Sequence, residues 1–422
     1  MTTESSDDDP AGKVLRRLSD AADHVSGICF KTGPPRRVGV ELEWTTHRAD
    51  LPAAPLRTTD LSRALGPHAP AALGNTEPLP LPGGGTVTCE PGGQLEISSA
   101  PAGSLAALHA EVTADQDRVV DLLAACGIVL GERGLDPHRP PVRILDTPRY
   151  AAMQHAFDRT GTPSGRTMMC STAGLQVCLD AGTEARLPAR WGAVHDLGPP
   201  LLATFATSRM HAGRDTGWVS GRMATWLGID RRRSGPVPPS APRSADPTDG
   251  WIRYVLAAPV LCVRRGHGCW DTPDGVTFAD WIGGALHRPP TVDDLDYHLS
   301  TLFPPVRPRG YLEVRYLDAQ PGREWIAPVA VLCALLADDA VADQARDLAG
   351  PAAGRWREAA RDGLADPVTG ACAANLLDLA CRGLDRTGLP GPVRDLVADI
   401  VDRRLHGGDA VHAGSQRKDQ FR

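Results

Sequence analysis

The segment Val38-Gly-Val-Glu-Leu-Glu-Trp44 decides how this 422-residue chain is read. Val40, Leu42 and Trp44 point one way and Glu41 and Glu43 the other, the period of a half-buried β-strand. The alternation recurs three times. In Gln94-Leu-Glu-Ile-Ser98, Leu95 and Ile97 oppose Gln94, Glu96 and Ser98. Between Thr172 and Asp180, Leu175, Val177 and Leu179 oppose Gln176 and Asp180. In Tyr311-Leu-Glu-Val-Arg-Tyr316, Leu312 and Val314 oppose Glu313 and Arg315. Each strand has an apolar face for helices and a polar face of carboxylate, amide or guanidinium groups. Long insertions separate the strands, which predicts an antiparallel sheet with helices packed on one side, an α+β design.

The polar face carries the chemistry. Carboxylates at i and i+2 of a strand lie ~6.5 Å apart, from a rise of ~3.3 Å per residue. Each can reach a separate divalent ion, or both can share one through water. Oxygen-only ligands suit Mg²⁺, which keeps several waters and is completed by substrate phosphates. Glu90, just before the Gly92-Gly93 turn, adds a carboxylate at the rim. The competing reading is a plain solvated sheet face. Three strands bearing glutamate with no lysine between them argue against it, because packed carboxylates without cations repel one another and resist ionisation.

Working outward, residues 11–25 read as a short amphipathic helix, and 45–85 as a Pro/Gly/Thr-rich excursion with little regular structure. Ser104 opens a helix that runs to Ala125, with Gly127 as its stop. A strand near 128–131, a short helix from Tyr150, helices over 188–230, a loop over 231–250 and an Ala/Leu-rich helical region over 326–406 follow. The expected organisation is an N-terminal segment and helix (1–25), one catalytic domain (26–405) and a disordered tail (406–422).

Bulk composition narrows the function. Net charge is −6 and no basic stripe appears, which excludes a nucleic-acid partner. Lysine occurs only at Lys13, Lys31 and Lys418, none behind a GxxxxG loop, so a P-loop is excluded and any nucleotide must be held by metal ions, arginines and backbone. Ten cysteines without a CxxC pair read as reduced core residues. The first ten residues lack the apolar stretch of a secretory signal, and the longest apolar run, Trp325 to Ala337, is too short to span a bilayer. A cytoplasmic protein without membrane contact is expected.

Five stretches, "VGVELEW", "TCEPGGQLEISSAP", "MMCSTAGLQVCLD", "GRMATWLGID" and "HLSTLFPPVRPRGYLEVRYLD", resemble the glutamate–cysteine ligase family over about residues 36–322. The likeness is to its plant-type and actinobacterial branch, especially the ligase of the ergothioneine pathway. It implies a curved antiparallel sheet forming an open funnel, similar to the glutamine synthetase catalytic domain. It also implies that L-glutamate, L-cysteine and ATP give γ-glutamylcysteine through a γ-glutamyl phosphate. On this resemblance Glu41, Glu43, Glu90, Glu96 and Glu313 are metal ligands, and Gln176 faces metal or phosphate. Arg315, beside Glu313, is the choice for stabilising charge on the transferred phosphoryl group. Arg222 is expected to hold the α-carboxylate of glutamate and Trp226 to wall its pocket. Met169 and Thr172 resemble a substrate-contacting pair, and Arg149 and Tyr150 are expected to face the amino-acid site. Arg232 and Arg233, with Arg231, are expected to steer nucleotide phosphates.

One stretch departs from the family pattern: "FATSRMHAGRDTGW" leaves the neighbourhood of Ser208 and Arg209 unassigned. The residues leave open another carboxylate–amine ligase on the same scaffold, a metal-dependent amide hydrolase, and a non-catalytic binding domain.

Overall fold

A computed structural model describes residues 12–237 and 246–407. The first eleven residues, the middle of the expected 231–250 loop and all but the start of the expected disordered tail lie outside the described residues.

Six strands form the main sheet: β1 (Val38–Trp44), β2 (Thr86–Cys89), β3 (Leu95–Ser98), β4 (Gly174–Leu179), β5 (Val306–Pro308) and β6 (Leu312–Asp318). Their order is β2-β3-β1-β4-β6-β5, and every neighbouring pair is antiparallel. The register aligns like with like. Leu42 opposes Ile97 and Leu175, Val40 opposes Val177, and Val177 opposes Val314. Those side chains are buried under the helices. The Leu105–Ala124 helix packs on β1 and the Gly198–Thr204 helix on β6. Ser104 caps the first of these, its hydroxyl accepting from the Ala107 amide at 3.1 Å.

Two short strands join the four expected ones. β2, Thr-Val-Thr-Cys, alternates in burial and pairs with β3 across a tight turn, and β5, Val-Arg-Pro, is an edge strand where proline loses no ladder bond. The 45–85 excursion is more ordered than its composition predicts. It holds a short strand, Thr46–Arg48, paired with Ile128–Leu130, and a helix, Thr58–Leu65, whose Asp60 accepts from the Arg57 amide at 3.2 Å. The first helix lies at Leu18–Cys29 rather than over 11–25. Ser171 ends a helix, Ser164–Ser171, and the strand begins at Gly174. The apolar run forms the buried helix Ile326–Leu335, and among the described residues no helix is long and apolar enough to cross a membrane.

Candidate active site

Register decides what meets on the sheet's polar face. Glu43 opposes Glu96, Glu41 opposes both Ser98 and Gln176, and Glu313 opposes both Cys178 and Arg307. Opposed residues of an antiparallel pair share a face, so carboxylates from three strands converge. Glu90 joins them from the β2–β3 turn. That turn is closed by Gly93 N–H to the Glu90 carbonyl at 2.8 Å, with Gly93 at φ +88°. A Cβ on Gly92 would stand 2.1 Å from the Cys170 carbonyl, so only glycine lets the turn press against the Ser164–Ser171 helix.

The face has two electrostatic halves. In the first, Glu41, Glu43, Glu90 and Glu96 are half-buried among protein atoms. Glu43 accepts from the Gly174 amide at 2.6 Å and the Gln176 amide at 2.8 Å. Glu96 accepts from the Ser98 and Thr88 hydroxyls at 2.8 and 3.2 Å. Among the described residues, no arginine, lysine or histidine pairs with any of the four. Burial, then the neighbouring Glu313, pushes the Glu41 carboxyl up to about 7. Burial, then Glu43, does the same to Glu90. Burial with Glu41 and Glu43 raises Glu96 well above the usual carboxylate range.

The second half is cationic. Glu313, fully buried, accepts from Arg307 Nε at 2.5 Å and Nη2 at 3.0 Å, and from Arg315 Nη1 at 3.0 Å, with Arg309 3.7 Å away. Burial alone would raise this carboxyl, but Arg307 and Arg315 outweigh it and hold it down to about 2. Three guanidiniums thus surround one carboxylate, leaving net positive charge beside four unpaired acids. Gln176 joins the halves: its Nε2 donates to Glu43, and its Oε1 accepts from Arg315.

The resident chemistry of the first half is testable on its donor set. Four carboxylates that repel one another, with oxygen the only donor and no ion-paired cation among the described residues, are matched by a hard divalent ion. Their oxygens are not drawn into a tight cage. Among the described residues, the group of three His, Cys, Asp or Glu ligand atoms all within 4.8 Å of one another lies elsewhere. That openness fits Mg²⁺, which is usually held by one or two carboxylates, waters and substrate phosphates.

The remaining expected residues fall in three places. Arg222, 1% exposed, lies against the start of β4, its Nη2 donating to the Arg315 carbonyl at 3.0 Å. A Cβ on Gly174 would stand 2.3 Å from that Nη2, so the glycine makes room for the guanidinium. Trp226 is flanked by Arg222 and Arg315, 5.7 and 5.6 Å from its ring centre. Met169 and Thr172 are buried, and their carbonyls accept from Gln94. Arg149 stands 4.9 Å over the Tyr297 ring and donates to Ser300. Arg149 and the Tyr150 hydroxyl are both close enough to Glu90 to interact with its charge.

Arg233 corrects an expectation. Its guanidinium is buried and donates to the Thr301 carbonyl and hydroxyl at 2.7 and 3.0 Å and to the Pro259 carbonyl, so it ties two loops together rather than standing open to solvent. Arg232 is exposed and pairs with Asp230. The cluster of positive charge on the sheet face is made instead by Arg307, Arg309 and Arg315 around Glu313. Arg307 and Arg309 lie at i and i+2 in "VRPRG", but the proline between them hides the strand.

The unassigned stretch around Ser208 also has a structural role. Asp318, fully buried at the end of β6, accepts from Thr207 N–H at 2.9 Å, the Ser208 hydroxyl at 2.6 Å and the Ser220 hydroxyl at 3.0 Å. The Ser208 hydroxyl accepts from Arg222 N–H at 3.0 Å. This network anchors the first turn of the helix Gly221–Leu227, and with it Arg222.

Residues 37–405 match the family described as glutamate–cysteine ligase family 2 (GCS2). The chain is 41% identical over 404 residues to "Glutamate–cysteine ligase EgtA" of Mycobacterium tuberculosis (strain H37Rv), covering 93% of this chain and 89% of that one. It is 31% identical over 322 residues to the chloroplastic glutamate–cysteine ligase of Brassica juncea, covering 72% of this chain and 61% of the relative. A crystal structure of glutamate–cysteine ligase from Francisella tularensis in complex with AMP superposes with a TM-score of 0.51 at 12% identity, over 89% of this chain and 83% of that one. At that identity the likeness bears on fold alone, and it agrees with the expected α+β class.

Proposed function

Because this chain belongs to the glutamate–cysteine ligase family 2, we propose that it joins the γ-carboxyl of L-glutamate to the amine of L-cysteine with ATP, giving γ-glutamylcysteine, ADP and phosphate. The observation that carries the reading is the division of one sheet face into four unpaired carboxylates and a three-arginine cluster. A polyphosphate chelated to metal needs both halves at once.

In this reading Glu41, Glu43, Glu90 and Glu96 hold Mg²⁺, which when bound neutralises ATP's phosphate oxygens and lets an anionic carboxylate approach them. Arg315 and Arg307, braced by Glu313, offer donors to the transferred phosphoryl group. Gln176 fixes Arg315 relative to Glu43, so the two halves keep their spacing. Arg222, supported by Trp226 and the Asp318 network, takes the α-carboxylate of glutamate in a bidentate pair. Arg149 and Tyr150 edge the amino-acid side. The γ-carboxylate oxygen attacks the γ-phosphorus of ATP and expels ADP; the cysteine amine then attacks the resulting γ-glutamyl phosphate, forms the amide, expels phosphate and releases its proton to solvent. The thiol product entering ergothioneine synthesis, in the cytoplasm, completes the proposal.

The test is ADP release with Mg-ATP, L-glutamate and L-cysteine, each omitted in turn, with mass detection of the product. Release that requires both amino acids and yields γ-glutamylcysteine supports the reading. Release that needs glutamate but accepts other amines moves the specificity within the scaffold, and no release with metal present contradicts the reading.

A further inference from the structure

Away from the glutamate face, His155, Cys269 and Asp271 place one ligand atom each within 4.8 Å of the others. His155 comes from the helix Pro148–Arg159, and Cys269 and Asp271 from a loop over 263–272. His155 Nδ1 lies 3.1 Å from Asp271 Oδ2, and the Asp271 amide donates to Cys269 Sγ at 3.4 Å. The loop is also held by bonds that do not involve these three. Arg159 donates to Asp274 and to the Thr272 carbonyl, the Thr272 hydroxyl donates to the Val260 carbonyl at 2.7 Å, and the Trp270 ring N–H donates to the Arg265 carbonyl at 3.0 Å.

Two ligands of a tetrahedral zinc, at bonds of ~2.0–2.3 Å, stand roughly 3.3–3.8 Å apart. The observed group is therefore one small side-chain closure from that arrangement. Its donors are nitrogen, sulfur and oxygen, which select a borderline-soft ion over Mg²⁺. His155 and Asp271 keep 54% and 33% of their side-chain surface open, so a fourth position faces solvent. A cavity of about 340 Å³ opens beside Cys269, bordered by Asp146, Thr147, Ala151 and Trp270.

We propose that His155, Cys269 and Asp271 form a three-ligand zinc site whose fourth position takes water or a small ligand. On binding, the Cys269 thiol releases its proton to solvent as the sulfur–zinc bond forms, and His155 gives up the Nδ1 proton that bonds Asp271, keeping one on Nε2, so that the Nδ1 lone pair takes the metal. The ion ties the 263–272 loop to the helix that carries Arg149 and Tyr150. Arg264 of the same loop already shares the Tyr297 ring with Arg149, 4.8 and 4.9 Å from its centre. Zinc occupancy therefore stiffens one edge of the glutamate face.

The experiment uses the full chain, stripped of metal and then held in excess Mg²⁺ to occupy the carboxylates. Bound zinc is counted after dialysis, and Co²⁺ is added as a spectroscopic probe. The expected result is one zinc per chain and a thiolate-to-cobalt charge-transfer band. Cys269→Ser should remove the band, and both Cys269→Ser and His155→Ala should weaken zinc by on the order of 100-fold or more, since even outer-shell losses cost ~10–100-fold. Cys126→Ser, at another exposed thiol, should change neither. Zinc bound equally by wild type and Cys269→Ser, a band lost only with Cys126→Ser, or no zinc retained by the wild type would overturn the proposal. These readouts do not involve turnover, so they stand or fall apart from the ligase reading.

Discussion

Arg307 grips both carboxylate oxygens of Glu313, at 2.5 and 3.0 Å, from an edge strand directly opposite it in register. The pair fixes the cationic half of the face: Glu313 is a buried anion matched by arginines, and in turn it holds Arg315.

Truncating the fork should therefore be felt in stability before catalysis is considered. Arg307→Met leaves a buried carboxylate with one fewer partner and should destabilise the protein by about 3 kcal/mol, the scale for breaking one side of a buried pair. Arg307→Lys keeps the charge without the bidentate geometry and should fall between. Urea unfolding followed by circular dichroism measures both.

The acidic half makes a prediction about pH. Glu41 and Glu90 have folded values raised from 4.5 to about 7. A raised carboxyl contributes stability that is complete below 4.5 and is lost as pH climbs through about 7. Two buried histidines run the other way. Burial lowers His195 from 6.5 to about 4 and His298 to about 3, so their contribution is present above 6.5 and lost as pH falls through those values. The metal-free melting temperature mixes these opposing trends. The rise in melting temperature on adding Mg²⁺ separates them, because ions compete with protons only at the carboxylates. That rise should be small near pH 6 and larger at pH 8, and an increment that shrinks with pH would contradict the assignment.

Gly174 predicts a specific kinetic defect. Gly174→Ala pushes a methyl group against Arg222 and should displace the guanidinium, an overpacking strain of about 1–3 kcal/mol. In steady-state assays the KM for glutamate should rise roughly 10- to 100-fold, at ~1.4 kcal/mol per decade. The KM for ATP should move far less. Equal shifts in both would remove Arg222 from the glutamate pocket.

Asp318 supports the same arginine from the other side. Asp318→Asn keeps the shape but replaces one acceptor oxygen with a donor facing the Thr207, Ser208 and Ser220 donors. An unsatisfied buried group of this kind costs about 1–3 kcal/mol. A lower melting temperature with a raised glutamate KM is expected, and Ser220→Ala should give a milder form of both.

Much of this site is legible in the chain because strand period is a strong signal. Glu41, Glu43, Glu96, Gln176 and Glu313 alternate with aliphatic residues, and alternation assigns a face without any knowledge of the neighbours. What was not legible depends on contacts made across long separations. Arg307 sits in a three-residue strand beside a proline, too short to show a period. Asp318 falls just past the expected strand and carries no signal of its own until the folded chain brings Ser208 and Ser220 against it. Arg233 belongs to a run of three arginines that looks solvated, and only the packing of residues 259 and 301 around it shows a buried tie. The helix Thr58–Leu65 lay hidden in a Pro/Gly-rich composition, since composition averages over a window longer than eight residues.

Four repelling carboxylates that await divalent ions are probed most directly by Glu41→Gln at pH 8, above the raised Glu41 value of about 7. Melting temperature and ADP release are measured on the same preparation, with and without Mg²⁺. Removing one repelling charge should leave the metal-free melting temperature equal or higher while shrinking the Mg²⁺-induced rise and abolishing ADP release. A variant that keeps both the wild-type Mg²⁺ response and wild-type turnover would contradict the account.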